Sequence, residues 1–431
     1  MASLPGEVID FRVKGGWCWF QDERAIVDDG KLIFGSVASP SGTVNVTTYD
    51  LATGESTTVP LHERFQSDDH DAPALLKLPD GRYLAAWAPH GGHGGVKATN
   101  LMRWRISARP GDSTEWGPLQ TLPVGASVSY ANLYRLAAED GRIYNFHRGV
   151  GFDPNYLVSD DGGASFRYGG RLFDWPATPG QGGSGRPYPR YASNGVDTIH
   201  VIVTEDHPRN FDNSIYHGFI RGGQVHSSDG EVIAPLATSD ETTLKPSDLT
   251  LVYEGSADSV AWTTDVRLDE QGHPYIAFSV QVGDAEHKAD TREGGQDLRY
   301  YYGRFDGEAW HVHEMAHAGS RLYSPEVDYT GLVALHPADP DVVYISTNAD
   351  PATGEPLVSS ADGERHWEIF RGTTGDGGQT WEWEAITSGS TADNIRPIVR
   401  PLGDGRTVIL WLRGTYSSYT KYDLDVVGLI R

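Results

Sequence analysis

The sequence holds a single cysteine, Cys18, in 431 residues. That excludes an intrachain disulfide and any multi-cysteine metal centre. Cys18 sits in Gly16-Trp17-Cys18-Trp19-Phe20 and reads as a small buried apolar residue on a strand. No run of about 18 apolar residues occurs, so no helical membrane span is expected. The opening Met-Ala-Ser-Leu-Pro-Gly-Glu lacks the basic start and apolar core of a secretory leader. The protein is therefore expected to be cytoplasmic, or secreted or periplasmic if a signal peptide has been trimmed. Basic residues are also scarce: 35 Lys and Arg stand against 59 Asp and Glu, a formal charge of −24. Such a chain repels a phosphate backbone, which argues against nucleic acid as a partner. An anionic ligand would need a local cluster of cations.

Glycine (51), tyrosine (21) and tryptophan (12) are plentiful while methionine is rare (3). This turn-rich, aromatic-rich profile favours strands over long helices. One pattern recurs seven times, a tight turn followed by a short apolar or alternating run. The turns are Asp29-Gly30, Asp80-Gly81, Asp140-Gly141, Asn194-Gly195, Gln271-Gly272, Pro340-Asp341 and Asp404-Gly405. Their separations, from 51 residues (29 to 80) to 77 residues (194 to 271), exceed the ~40–50 of compact propeller blades, which loop insertions account for. The expectation is all-β: a seven-bladed β-propeller of four-stranded antiparallel blades, one domain over 1–431, and a monomer. The last strand, Asp423 to Ile430, must then meet the first unit to close the ring and remove the exposed edges.

Ser159 to Phe166 and Thr374 to Trp381 both fit S/T-x-D-x-G-x-S/T-aromatic, the Asp-box turn, in which Asp caps backbone N–H groups and Gly takes a positive φ. Ser360 to Trp367 reads as a third, degenerate copy. These turns are structural and say little about chemistry.

Function in a propeller gathers at loops over the central channel, so polar residues at strand ends are the candidates. Asp68-Asp69-His70-Asp71 precedes a strand that leads to His90 and then His93; two surface imidazoles are the plain alternative. Tyr130 lies ahead of a strand ending in His147-Arg148, where an arginine offers a bidentate clamp for a carboxylate or else bridges blades. Arg186-Pro187-Tyr188-Pro189-Arg190 places cations and phenols on a stretch stiffened by proline. His207, His217 and His226 are spaced widely for a zinc site, and Arg209 lies among them. Arg365-His366 and Asn394-Ile395-Arg396 are either channel-lining or solvated.

These residues carry a resemblance. The chain looks like the BNR-type (BNR-4 repeat) propellers that include ulvan lyases and related rhamnose–glucuronate-cleaving polysaccharide lyases. It rests on Trp17 to Arg24, Asp69 to Pro73, Tyr191 to Gly195, His207-Pro208-Arg209 with Asn213 to Tyr216, and Asp393 to Pro397, and spans nearly the whole chain. Carried over by position, the lyase pattern falls on His70, His90, Tyr130, Arg148 and Tyr188 as catalytic residues, with Tyr134 competing for the place of Tyr130. Arg190, Arg209, His93 and His147 are then expected to bind an anionic polysaccharide or oligosaccharide. No cofactor is needed for the chemistry; a structural zinc or calcium ion is the only inorganic group to look for.

The implied reaction is β-elimination beside a 4-linked uronic acid. Its C5 proton leaves only if the carboxylate is neutralised, the role of Arg148 with a histidine. A phenol whose pKa is lowered by that cation, Tyr130, would serve as base and also as acid toward the departing O4, with His70 its main competitor, while His90 and Tyr188 position the sugar. Two rivals stand. A glycoside hydrolase acting on rhamnosyl-glucuronate glycans would use two of Asp68, Asp69, Asp71 and Asp212; a sialidase is disfavoured by the lack of an Arg-Ile-Pro near the N-terminus. A non-catalytic carbohydrate-binding propeller would stack sugars on Trp87 and on Tyr300, Tyr301 and Tyr302.

Overall fold

A computed structural model describes residues 6–176, 185–283, 294–324 and 326–431. They form seven antiparallel sheets arranged as a seven-bladed propeller. The blades begin with Ala25–Asp28, Ala74–Lys77, Ser129–Leu136, Pro189–Ser193, Ser259–Leu268, Val333–Leu335 and Asp393–Pro401. Four strands make up five of the sheets. The second blade gains the short strand Asp112–Trp116, and the fourth gains Val232–Pro235 and Thr250–Tyr253.

All seven turns found in the sequence connect the first strand of a blade to its second. All but Pro340-Asp341 supply the left-handed backbone that such hairpins need, as at Asp29 (φ 46°) with Gly30 (φ 70°) and Asp140 (φ 55°) with Gly141 (φ 79°). The second strands lie between neighbouring blades and are apolar on both faces, so Tyr83–Trp87, Thr198–Val203 and Val342–Thr347 are buried throughout. The outer strands, such as Gln120–Pro123 and Glu382–Ala385, are largely exposed.

Ser159 to Phe166 and Thr374 to Trp381 both link the third strand of a blade to the fourth. In the first, Asp161 accepts from the Ser165 N–H at 2.9 Å and the Ser159 hydroxyl at 2.8 Å; Asp376 holds Thr380 and Thr374 likewise, both at 2.9 Å. Their aromatics pack on the preceding blade, Phe166 on Trp104 and Trp381 on Tyr302. The segment from Ser360 to Trp367 does not share this place. It lies between the second and third strands of its blade, where Asp362 pairs with His366 instead.

The ring closes as the sequence predicts. Ile9–Lys14 forms the outer strand of the last blade, paired antiparallel with Lys421–Ile430 in the register Ile9 to Gly428. Phe11, 1% exposed, seals the joint against Phe34 and Tyr49 of the first blade, ring centroids 5.5 and 5.0 Å away.

The residues that follow this strand run through the ring and touch every blade. Gly35 N–H donates to Arg24 O and Leu75 N–H to Glu23 O; Asp22 N–H donates to Ala131 O, and Asp22 O accepts from Leu133 N–H. Arg190 donates to Trp19 O, and the Trp19 indole donates to Thr263 O and packs against Tyr329 at 5.1 Å. The Trp17 indole donates to Arg396 O at 3.2 Å, and Arg396 returns a bond to Trp17 O at 2.6 Å. Cys18 is buried within this segment rather than on a strand. Below it Asp22, Glu23 and Asp265 neutralise Arg24, Arg190, Arg267 and Arg400.

Two substitutions test this. Phe11→Ala is expected to cost about 3–5 kcal/mol by opening a cavity at the closure. Asp22→Ala, which strips a buried carboxylate from Arg190, is expected to cost about 3–5 kcal/mol. Both are read as a lowered denaturant midpoint, and neither should alter a surface control such as Val358→Ser.

Candidate active site

In an antiparallel blade the start of the first strand and the end of the second lie at the same end, opposite the seven tight turns. Ser129 pairs with Arg148 and Pro189 with Val203 in this way. That end therefore gathers the Asp69–Asp71 turn and His90 of the second blade, Tyr130 and Arg148 of the third, and Tyr188 and His207 of the fourth.

Asp68 is the hub. It is fully buried, and its carboxylate meets three imidazoles: His70 Nδ1 at 2.7 Å on Oδ1, and His90 Nδ1 at 3.0 Å and His93 Nε2 at 2.8 Å on Oδ2. The His70 and His90 rings stack 4.0 Å apart, 13° from parallel. Gln66 pins the backbone of His90 on both its N–H and C=O sides, and Gln21 of the axial segment holds His70 O. Asp69 braces the turn from behind, accepting from Arg396 and from the Tyr416 hydroxyl at 2.6 Å.

Tyr130 lies beside this pair, its ring 5.7 Å from His70 and 6.2 Å from His90. Its φ of 69° is a left-handed conformation in a bulge between Ser129 and Asn132, the kind of local strain that persists where the surroundings enforce a side-chain direction. Arg148 stands 4.8 Å over the Tyr130 ring and 4.6 Å over that of Tyr188. Phe20 of the axial segment forms the floor under both phenols, at 5.5 and 4.9 Å. A small cavity of about 20 Å³ opens between them, lined also by Asn132 and His147.

The electrostatics separate the stacked histidines. Burial disfavours charge on His70, but the surrounding anionic groups, Asp68 and Asp69 among them, outweigh it and hold the imidazolium well above the ordinary histidine range. His90 is pushed down to about 4, by burial and then by the charge on His70. At neutral pH the pair is thus one cation and one neutral ring. Burial would raise Asp68, yet His90 and His70 hold it well below the carboxylate range. For Tyr130 burial wins over the lowering fields of Arg148 and His70, so the phenol keeps its proton. Arg148 and His70 do pull the phenol down as the sequence suggests, but in the free protein burial outweighs them, because a desolvated phenolate costs more than these cations return.

Other expected site residues take different places. Arg209 pairs with Glu326 at 2.8 and 3.0 Å, and His207 lies 3.7 Å from the same carboxylate and packs on Tyr188 and Trp262. His147 is buried behind Arg148 and pushed down to about 4 by burial. Arg190 is fully buried and tied to Asp22 at 2.5 Å, below the site and away from any ligand.

The zinc arrangement of His207, His217 and His226 is not formed. His207 leaves the end of the ring, His217 stacks on His200 inside the fourth blade, and His226 lies on an outer strand against Phe219. Among the described residues, donor atoms close enough for one ion occur instead in Asp68, His70 and His90, and in Cys18, Asp69 and His70. Trp87, Tyr300 and Tyr302 are buried within sheets and offer no face to a sugar. Arg396 is buried on Asp69, and His366 pairs with Asp362 and Asp393.

The sequence missed Tyr419, Tyr329 and Glu326. Tyr419, in the turn between the last two strands, faces His70 at 5.2 Å and His90 at 5.5 Å. Its only signal was an aromatic in a polar turn, Ser417-Ser418-Tyr419-Thr420.

Comparison with known proteins agrees with this architecture. A search of curated proteins returns no match. Among solved structures, one described as an ulvan lyase of a new family of polysaccharide lyases superposes with a TM-score of 0.69 at 16% identity, over 98% of this chain and 97% of that one. A second, the ulvan lyase bound to -[GlcA(1-4)Rha3S]-, gives 0.69 at 15% identity over 99% and 98%. The polysaccharide lyase Uly1 gives 0.56 at 11% over 95% and 89%. At such identities the likeness concerns the fold. The family model described as BNR repeat-containing family member matches residues 34–318, two thirds of the sequence, and the chain belongs to that family.

Proposed function

We propose that the protein is a polysaccharide lyase that cleaves a 4-linked uronic acid, glucuronate or iduronate next to rhamnose, by β-elimination. One observation carries this. Seven arginines are buried among the described residues; Arg24, Arg190, Arg267, Arg396 and Arg400 each meet a carboxylate, and Arg103 donates to two backbone carbonyls. Arg148 alone has neither among the described residues, and its Nε and one terminal nitrogen lack any partner. A desolvated guanidinium held between two phenols is incomplete without an anion, and a uronate carboxylate fits it in a bidentate way. The likeness to a lyase bound to -[GlcA(1-4)Rha3S]- supports the same reading.

With the carboxylate on Arg148 and the His70 imidazolium beside it, negative charge developing on C5 is spread into an enolate-like state. The base takes the C5 proton, the C4–O4 bond breaks, the C4–C5 double bond forms, and O4 takes up a proton. Asp68 fixes the proton on His90 Nδ1 and leaves Nε2 free as the base. The substrate's carboxylate offsets the field of His70, which raises the basicity of His90 at the moment of need. Tyr130, which holds its proton, is the acid toward O4. Of the carboxylates a hydrolase would use, Asp68 and Asp69 are committed to imidazoles and Arg396, which favours the elimination reading over that alternative.

Arg148→Met is expected to lower kcat/KM on a glucuronate–rhamnose polysaccharide by about 100–1000-fold, followed as ultraviolet absorbance of the unsaturated uronate. Arg148→Lys should recover little of it, because an ammonium cannot present the planar fork. Tyr130→Phe should regain activity on a uronide with a weakly basic leaving group at C4, whereas His90→Asn should not; the reverse pattern would exchange their roles.

The pH profile of kcat/KM follows from the two histidines. Activity should rise as His90 loses its proton, with a midpoint of about 4 in the free protein, and fall only when His70 loses its own well above the ordinary histidine range. The stability terms have opposite signs. The unfolded chain protonates His90 near ~6.5, so stability drops as pH falls from there toward about 4; that of His70 is full below ~6.5 and is lost as pH rises through its raised value. His90→Asn should soften the acid loss of stability, read as a flatter fall of the denaturant midpoint between pH ~6.5 and about 4.

A further inference from the structure

Phe152 is 44% exposed and holds a φ of 66°. Both features are unfavourable for a large aromatic, which gains nothing from solvent and crowds its own carbonyl in the left-handed region. The loop that carries it is nevertheless held firmly. Asn155 donates to Val150 O at 3.1 Å and to Asp153 O at 2.8 Å, and buried Asp153 is clamped by Arg171. A Cβ on Gly151 would meet the Arg171 guanidinium at 2.6 Å, so the turn tolerates only glycine there. The chain thus fixes Phe152 outward, immediately after Arg148.

Across the rim from it, Arg186 lies two residues before Tyr188. Its guanidinium sits 5.3 Å over the Phe152 ring. It forms no ion pair among the described residues; its backbone N–H, not its side chain, meets Asp206. Pro154 and Pro187 line the cavity shared by Arg148 and Tyr188, so the Phe152 loop and Arg186 flank the pocket from the third and fourth blades.

We propose that Phe152 and Arg186 form a second sugar subsite, which grips the residue adjoining the uronate seated on Arg148. This rests on the lyase reading above. The ring takes the apolar face of that sugar, and the guanidinium takes an acidic substituent on it, which on a rhamnose is a sulfate ester. A strained, exposed aromatic kept beside an unpaired cation is thereby explained as a surface shaped for a ligand rather than for folding.

The test measures binding in a His90→Asn background, which separates it from turnover. The probes are a sulfated glucuronate–rhamnose polysaccharide and the same polymer after desulfation. Phe152→Ala is expected to weaken binding of both about tenfold while the melting temperature stays the same or rises. Arg186→Gln should weaken binding about tenfold at low salt and little at high salt; loss confined to the sulfated polymer identifies a sulfate ester on the adjoining rhamnose, and equal loss on both overturns the assignment of Arg186 to that residue. Unchanged affinity in Phe152→Ala, or a lowered melting temperature, overturns the subsite alone. If the parent binds neither polymer, the subsite and the lyase reading both fall.

Discussion

The passage of Trp17 to Arg24 through the middle of the ring is the constraint on which the rest depends. A propeller of seven sheets leaves an axial channel, and this chain fills it with its own backbone. Every blade is then tied not only to its neighbours but to one common segment, through Arg24 O, Glu23 O, the Asp22 bridge, Trp19 and Trp17. Buried backbone without a regular partner strand must find hydrogen bonds elsewhere, and here the inner strands supply them. Because Phe20 of the same segment lies beneath Tyr130 and Tyr188, the site has a floor built by closure of the fold. Strand pairing at Ile9–Lys14, axial packing and the position of the two phenols are one mechanical unit.

The same segment also sets the charge pattern. Asp22 and Glu23 draw Arg190, Arg267 and Arg400 into the axis, while Asp69, reached by Arg396, is displaced toward the open end. Asp68 is left free of guanidinium and takes the three imidazoles. The stack of His70 on His90 then separates their charge states: two rings 4.0 Å apart sharing one carboxylate do not both carry a positive charge. A cation and a neutral ring side by side are what an elimination next to a carboxylate requires.

The blades were legible because the chemistry that marks them is local. Asp-Gly and Asn-Gly answer a demand for positive φ that the hairpin itself makes, so all seven turns were placed from the sequence. The convergence of His70, His90, Tyr130, Arg148 and Tyr188 was legible through the family pattern, since these residues occupy equivalent ends of consecutive blades. What could not be read was pairing across the ring. Arg190 resembles a ligand-binding cation until Asp22 is seen beside it, and Tyr419 meets His70 only because the last blade closes on the first. The histidines at 207, 217 and 226 were drawn together by proximity in sequence, but His217 and His226 sit within adjacent strands while His207 has already left the sheet. Proximity along one blade spreads side chains out; only equivalent positions on different blades bring them together.

The net charge of −24 finally bears on selectivity. An acidic exterior repels a polyanion at long range, and most exposed cations are spent on neighbouring carboxylates, as Arg82 is on Asp80 and Arg406 on Asp404. An acidic glycan therefore meets little that attracts it until it reaches the end of the ring where Arg148 lies unpaired. The benefit of contact is concentrated at one point, and it is realised only by a carboxylate able to enter between two phenols. A protein with its positive charge spread over the surface would hold such polymers anywhere along their length. On the proposed reading, the five buried arginines already paired with carboxylates offer no competing positions, and the guanidinium left open at Arg148 would select the sugar acid by place as well as by charge.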